Sequence, residues 1–494
     1  MRRVCSKDRK MKKILMVTSE TVPFAKTGGL ADVVTALSIE LRKMGHDVRI
    51  LMPRYYHIDR EGFKKHAEAL GIWLGKGEEW TAVYEGILPD SDVPVYFLDH
   101  ERFFGRDGIY GHRADEGFKD NAARYSLLSR GAFQLCRMLH WIPDVIHTHD
   151  WPSAPACYLL KKEEQNSGFA DTKGILTIHN IGYQGVFSLD DARYLQPEID
   201  MLNLSTLEFS GALNFLKSGI ITADKITTVS PTYAEEIKRH DFGFGMDGLL
   251  NYRNEDLSGI LNGVDYSEWN PETDKYIEPD NFSVKKISGK AAVKKKLQKE
   301  MGLEVKQKTP LIGIVTRLVD QKGTVELFSP GSGAIYSICR DMNVQVVVLG
   351  SGDSWCEEEL NSLSEKLPNF AVYIGYNNRL AHMIEAGSDF FLMPSRYEPC
   401  GLNQIYSLAY GTLPIVRNTG GLADTVENYN PENADGTGFV FDDLRPDVIY
   451  NVVKWVVETW EEKRENIRKM RDRAMKKRFT WESSALEYLK VYED

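Results

Sequence analysis

Lys26-Thr27-Gly28-Gly29-Leu30-Ala31-Asp32-Val33-Val34 decides how the chain reads. It follows a short apolar run, Ile14-Leu15-Met16-Val17, which predicts a buried strand. Behind it the apolar residues Leu30, Val33, Val34, Leu37, Leu41 and Met44 recur at helical spacing. The order is therefore strand, loop, glycine pair, helix. Two glycines at a helix start leave backbone N–H groups uncovered, and those groups with the helix dipole favour an anion. Lys26 adds a full positive charge beside them. These residues fit a site for a phosphate-bearing ligand; they also fit a plain helix entry with a solvent lysine.

A second stretch repeats the first. Thr419-Gly420-Gly421-Leu422-Ala423-Asp424-Thr425-Val426 matches Thr27 to Val34 with one change, Thr425 for Val33, and it too follows an apolar run, Leu413-Pro414-Ile415-Val416. Two such units far apart in the chain predict two α/β halves with a ligand between them.

The chain has 494 residues, enough for two or three domains at ~100–200 residues each. Its net charge of −10 argues against a general nucleic-acid or membrane-surface binder. The six cysteines, Cys5, Cys136, Cys157, Cys339, Cys356 and Cys400, form no C-x-x-C pair and are too few to frame a fold of this size, which points to a reducing, cytoplasmic compartment. No apolar run approaches the ~18 residues of a membrane span. Residues 1–13 are basic, and the apolar run behind them is too short for a secretory core; Met11 is an alternative first residue.

Along the first half, strands are predicted at Val48 to Met52, Val83 to Ile87 and Val93 to Leu98, with Gly86 and Pro94 weakening the last two. A helix is predicted from Asn121 to Leu139. Polar clusters then follow short apolar runs: His147-Thr148-His149-Asp150-Trp151, His179-Asn180, Ser230-Pro231 and Asn262-Gly263-Val264-Asp265. Polar residues just past parallel strands mark the edge where open α/β sheets bind ligands. Residues 270–308 are rich in Lys, Glu, Asp and Pro and read as the boundary between domains. The second half restarts with Leu311 to Val315 and alternates again, except that Pro330-Gly331-Ser332-Gly333 breaks a helix. The expected domains are 11–270, 271–460 and a helical tail, 461–494, packing back toward the first.

Arg317 and Lys322, five residues apart after the first strand of the second half, suit adjacent phosphates, one as a planar fork and one as a point charge. A solvated turn is the alternative. Glu398 lies past the run Phe390 to Met393, where its carboxylate would meet hydroxyls; the N–H groups of Cys400, Gly401 and Leu402 would face a phosphate. Cys400 has no neighbouring His in sequence to activate a thiolate. His147, His149 and Asp150 lack the wider ligand set of a zinc site. His179 fits a hydrogen-bonding role in a sugar pocket, and Tyr376 offers either a stacking face for a base or a packing ring.

Lys-Thr-Gly-Gly-Leu-Ala-Asp, His-Asp-Trp, Thr-x-His-Asn, Leu-Asn-Gly-Val-Asp, Thr-Arg-Leu-x-x-Gln-Lys-Gly, Ser-Arg-x-Glu-Pro-Cys-Gly-Leu and Thr-Gly-Gly-Leu-Ala-Asp-Thr-Val occur in that order from Lys26 to Val426. With them the whole chain resembles the bacterial glycogen synthases and plant starch synthases. The resemblance implies a GT-B fold: α/β, two Rossmann-like domains facing a deep cleft, with a C-terminal helical tail. It implies transfer of glucose from ADP-glucose to the non-reducing end of an α-1,4-glucan with retention of configuration, without cofactor or metal. It places Lys26 on the nucleotide sugar, Gly28 and Gly29 near the phosphates, and Arg317 and Lys322 on the diphosphate. Glu398 would bind the transferred glucose, with the Cys400-Gly401-Leu402 backbone beside it. His179, Asp150 and Asn262 would line the sugar side, and Tyr376 would flank the adenine. Asn403 stands where the family often has Thr, and Pro152 where it often has a polar residue, which puts one donor and one acceptor contact in doubt. A UDP-glucose-using relative and a glucan-binding homologue without turnover are the alternatives; the presence of Lys26, Arg317, Lys322 and Glu398 disfavours the second. No G-x-G-x-x-G follows the first strand, which disfavours a nicotinamide dehydrogenase.

Overall fold

The computed structural model describes residues 11–75, 77–112, 116–195 and 205–494; the basic stretch 1–10, with Cys5, lies outside the described residues. The chain divides into two compact units. The first comprises the residues up to Val229, Ala234–Ile260 and Trp481–Asp494, and the second Ser230–Tyr233 and Leu261–Thr480.

Among the described residues the first unit carries a ten-stranded sheet. Its order is Leu257–Gly259, Lys225–Thr228, Lys173–Ile178, Val145–His149, Lys13–Val17, Asp47–Pro53, Pro94–Asp99, Gly77–Ile87 and Lys64–Lys65, with Leu70–Leu74 paired to Gly77–Ile87. Every pairing from Leu257–Gly259 across to Pro94–Asp99 is parallel. The last three strands are added antiparallel. Gly86, a weak strand residue by propensity, leaves room here for the Phe63 ring, which would lie 2.7 Å from a Cβ on it. The helix Gly29–Lys43 buries Leu30, Val33, Val34, Leu37 and Leu41. Asp32 in its first turn and Arg42 and Lys43 in its last complement the helix dipole. The helix Trp481–Glu493 contributes Tyr488 and Tyr492 to the same core.

The second unit carries a parallel sheet of six strands among the described residues, ordered Phe370–Ile374, Gln345–Gly352, Leu311–Leu318, Phe390–Met393, Leu413–Arg417 and Phe439–Phe441. Its strands read as unbroken apolar runs because both faces are covered. Ile312, Ile314, Val346, Val348, Phe390 and Leu392 enter one core. Their neighbours Leu311, Val347, Leu349, Phe391 and Met393 enter another. That alternation is the two-residue period of a strand.

One segment departs from what composition predicts, and the expected helix break is found. Residues 270–308 contain a helix, Ser288–Glu300, within the second unit. Lys290 and Lys294 are buried there, not solvated. Lys290 Nζ donates to Ala386 O (2.9 Å) and Thr412 Oγ1 (2.6 Å), and Lys294 Nζ meets Asp389 Oδ2 at 2.6 Å. Charged residues read as a linker only until such partners are visible. Pro330 to Gly333 separates two short helices, Thr324–Phe328 and Ala334–Asp341, with Gly331 at φ +72°. Of the tail, Arg464–Ala474 buries Ile467 and Met470 in the second unit. Among the described residues no helix is long and apolar enough to cross a membrane.

Candidate active site

In the second unit, Leu311–Leu318 has Gln345–Gly352 on one side and Phe390–Met393 on the other. The strand order reverses there, and the crevice beyond such a reversal is the ligand position of an open α/β sheet. The loops leaving Leu318 and Met393 meet at this edge. Gly323 closes the first with φ +72°, and a Cβ on it would lie 2.1 Å from the Pro394 carbonyl oxygen, so only glycine allows the two loops this approach. Arg396 N–H donates to Gln321 O (2.8 Å), and Gln321 Nε2 donates to Tyr397 O (3.3 Å). The result brings Lys322 Nζ to 2.5 Å from Glu398 Oε2, with 17% and 7% of the two side chains exposed. Ser395 Oγ donates to the same carboxylate oxygen at 2.9 Å. Arg317, exposed at the strand end, donates to Gln321 Oε1 at 3.3 Å. Sequence reasoning named Arg317, Lys322 and Glu398; it missed Ser395 and Gln321, whose signal was their closeness in sequence to the charged residues.

The second glycine pair serves this loop. Gly421 N–H donates to Glu398 O (3.1 Å) and Pro399 O (3.2 Å). A Cβ on Gly420 would sit 2.0 Å from Glu398 O, and one on Gly421 2.0 Å from Cys400 O. The pair is therefore closed by backbone, and its helix, Gly420–Thr425, has only six residues. Leu402 caps the helix Asn403–Ala409, and Gln404 Nε2 donates to Cys400 O and Gly401 O, each at 3.0 Å. Burial pushes the Cys400 thiol up to about 12, against hydrogen bonds from Asn262 that lower it. Asn262 is buried and its side-chain oxygen has no hydrogen-bond partner among the described residues. Asn403 Nδ2 donates to Val315 O at 2.8 Å, which ties the helix start to the strand end. Tyr376 lies past Phe370–Ile374 and is 86% exposed.

The first unit reverses its strand order at Lys13–Val17, between Asp47–Pro53 and Val145–His149. Here the glycine pair is open: a Cβ on Gly28 or Gly29 meets nothing within 4 Å. Lys26 Nζ is 2.7 Å from Asp32 Oδ1, both partly exposed. Of the glycine N–H groups expected to be uncovered for an anion, that of Gly28 donates instead, at 3.4 Å, to the Glu20 carboxylate, as does the N–H of Thr27 before it. A carboxylate of the protein lies under the loop, and no local pattern in the sequence announces it.

Asp150 follows Val145–His149 with φ +55°, a left-handed position uncommon outside glycine. Its Oδ1 accepts from His179 N (2.6 Å) and Asn180 N (3.3 Å), which joins the ends of two adjacent strands. Burial pushes its carboxyl up to about 8, against those two bonds. Pro152 is buried in the short helix Asp150–Ser153 that follows. His149 Nδ1 and His179 Nε2 share a hydrogen bond of 3.0 Å. His147 Nδ1 meets the Tyr492 hydroxyl at 2.8 Å and its Nε2 meets Thr177 Oγ1 at 2.6 Å. Burial pushes His147 and His179 down to about 3, and His149 well below its ordinary value. Three imidazoles, whose charged forms burial disfavours, thus stand in a row, and the His149–His179 bond sets how His179 is turned.

The chain matches known proteins over nearly its whole length. A family model for the starch synthase catalytic domain covers residues 13–252, and one for group 1 glycosyl transferases covers 296–473. A glycogen synthase of Treponema denticola is 56% identical over 98% of this chain and 98% of its own. Glycogen synthase 1 of Geobacter metallireducens is 44% identical over 97% and 95%. Among solved structures, the catalytic domain of starch synthase IV from Arabidopsis thaliana, bound to ADP and acarbose, superposes with a TM-score of 0.87 at 30% identity, over 98% of this chain and 99% of that one. The α/β GT-B class is shared with it.

Proposed function

Because the chain belongs to the glycogen and starch synthase family of glycosyltransferases, we propose that it transfers glucose from ADP-glucose to the non-reducing end of an α-1,4-glucan with retention of configuration. The observation that carries the reading is the Lys322–Glu398 pair at the strand reversal of the second unit, with Arg317 bonded to Gln321 on the same loop. Breaking a glycosyl–phosphate bond puts negative charge on the leaving diphosphate and positive charge on the sugar carbon. Arg317 and Lys322 stabilise the first as it develops. Glu398 holds hydroxyls of the transferred glucose. The C1–O bond to phosphate breaks, a bond from the acceptor oxygen to C1 forms on the same face, and the acceptor's proton passes to an oxygen of the leaving diphosphate.

The remaining assignments follow the family resemblance. Lys26, with Gly28 and Gly29, contacts the donor. Asn262 offers its buried unpaired oxygen to a hydroxyl, and Tyr376 its exposed ring to the adenine. Asp150 and His179 line the sugar side. The half 11–270 is assigned the acceptor and the half 271–460 the nucleotide sugar. The Arabidopsis structure is described with ADP, the group that ADP-glucose releases on transfer.

The test is transfer from labelled ADP-glucose and labelled UDP-glucose, side by side, into glycogen by the purified chain. Faster incorporation from ADP-glucose, sensitive to an α-1,4-specific exoglucanase, is expected. Preference for UDP-glucose would overturn the donor assignment, and binding of glycogen without incorporation would favour the homologue without turnover.

A further inference from the structure

Glu20 is nearly closed to solvent, 2% exposed, and its carboxylate collects four donors. These are Thr27 N–H, Thr27 Oγ1 at 2.7 Å, Gly28 N–H at 3.4 Å and the Tyr110 hydroxyl. Its own backbone is pinned in turn: Thr18 Oγ1 and Thr21 Oγ1 donate to Glu20 O at 2.9 and 2.7 Å, and Glu20 N–H donates to Thr18 Oγ1 at 3.1 Å. Tyr110 is held as well, its hydroxyl 2.8 Å from Ser19 Oγ. The loop above has the opposite character. Lys26 to Gly29 are exposed, and a side chain on either glycine would meet open space. The Lys26–Asp32 bridge, with 53% and 30% of its side chains exposed, is too solvated to hold the loop by itself.

We propose that Glu20 is the positioning residue of the donor loop: it fills from inside the protein the N–H groups at the entry to the helix Gly29–Lys43, and so fixes the outer face on which Lys26 and Gly29 meet the nucleotide sugar. Glu20 does not touch the donor. It acts through Thr27, Gly28 and Tyr110. Its presence also means that a phosphate approaching this loop does not find the Thr27 and Gly28 N–H groups free, so the loop's contribution comes from the lysine and the outer backbone. The inference rests on the proposed reading of the site as a nucleotide-sugar transferase.

Glu20→Gln, Thr27→Val and Tyr110→Phe test it in the full chain, with the double variant of Glu20→Gln and Thr27→Val. Donor and glucan KM, turnover, ADP affinity by calorimetry and thermal midpoint are measured for each. Glu20→Gln keeps the shape but replaces an acceptor oxygen with an NH2 group facing other donors. It is expected to raise donor KM and weaken ADP together by about ten- to hundred-fold, the range for a lost hydrogen bond to a charged group, with glucan KM within about two-fold. Thr27→Val removes one bond, costs about two- to ten-fold in the same two readouts, and adds less than its full factor in the double variant, because both changes sever the same contact. Donor KM within about two-fold of wild type in Glu20→Gln and Thr27→Val would overturn the proposal. So would equal rises in donor and glucan KM that follow the fall in thermal midpoint. Should Glu20→Gln not fold, Thr27→Val and Tyr110→Phe decide by the same criteria. A wild-type chain that neither binds ADP nor transfers glucose would overturn the transferase reading as well, a different outcome from an active wild type with indifferent variants.

Discussion

Replacing Lys322 with alanine removes one half of an ion pair whose other half is almost wholly buried. Glu398 then keeps the Ser395 hydroxyl, 2.9 Å away, as its remaining side-chain partner. Stranding a buried charge costs ~3–5 kcal/mol; the 17% exposure of the lysine and the surviving hydroxyl bring the expected loss of stability to roughly 2 kcal/mol. Turnover should fall further. If Lys322 neutralises the leaving diphosphate, its charge matters more as the bond breaks than in the bound ground state. A preorganised contact of that kind contributes ~3–4 kcal/mol, or about a hundred- to thousand-fold in turnover. The Michaelis constant for the donor should move less. Lys322→Arg should recover only part, since a planar fork does not reproduce a point charge at 2.5 Å from Glu398. Steady-state kinetics at saturating glucan, alongside thermal melting, separates the two effects. Adding Glu398→Gln to Lys322→Ala removes the stranded charge and should restore the melting temperature but not turnover. Turnover of Lys322→Ala within about two-fold of wild type would refute the reasoning and the diphosphate assignment with it.

Glu398→Gln alone should cut turnover while leaving ADP affinity, read by calorimetry, nearly intact; lost affinity with normal turnover would reverse the assignment. Gly421→Ala should displace the Glu398 loop, because the new Cβ falls 2.0 Å from Cys400 O, whereas Gly28→Ala meets nothing within 4 Å and should melt like wild type. The contrast is checked by thermal melting and donor kinetics of the two variants. Stability should also depend on pH through His382 and Asp274, whose ring and carboxylate lie 2.9 Å apart. Burial pushes His382 down, but hydrogen bonds with Asp274 and Glu268 outweigh it and raise it above 6.5; burial pushes Asp274 up, but bonds from His382 and Tyr410 hold it below 3.8. The histidine's contribution is therefore full below its unfolded value of 6.5 and lost as pH rises through its raised folded value. The aspartate's contribution is present above 3.8 and lost as pH falls through its depressed value. The melting difference between wild type and His382→Gln should be largest between those limits and shrink as pH rises through the histidine's raised value.

The alternation of strands and helices was legible because the inner strands of the second unit, such as Phe390–Met393 and Leu413–Arg417, are buried on both faces and so read as apolar runs. The charged ends of those strands were legible too, since Arg317, Lys322 and Glu398 all follow such runs at short distance. What stayed hidden depends on partners remote in sequence. Thr27 to Val34 and Thr419 to Val426 are nearly one string, yet the first pair of glycines is open and the second is pressed against the Glu398 loop. Within those eight residues only Val33 against Thr425 distinguishes them. Glu20 looks like any carboxylate after a strand until Tyr110 arrives from far along the chain. His147 stands in a cluster that lacks a zinc ligand set, and only the structure shows that its ring nitrogens serve Tyr492 and Thr177. The lysines of Ser288–Glu300 suggested a solvated connector because composition does not reveal that Ala386, Thr412 and Asp389 wait for them.

Lys26 and Lys322 share a circumstance whose effect lies in solution chemistry. Each rests against a carboxylate of the protein, Asp32 at 2.7 Å and Glu398 at 2.5 Å. A bare cation in water gathers mobile counter-ions and releases them when an anion binds, which makes affinity fall steeply as salt is added. A cation already matched by a fixed carboxylate has few to release. If the nucleotide binds where proposed, it meets lysines already matched by fixed carboxylates, and its affinity should vary only gently with ionic strength, less than the formal charge of a diphosphate would lead one to expect.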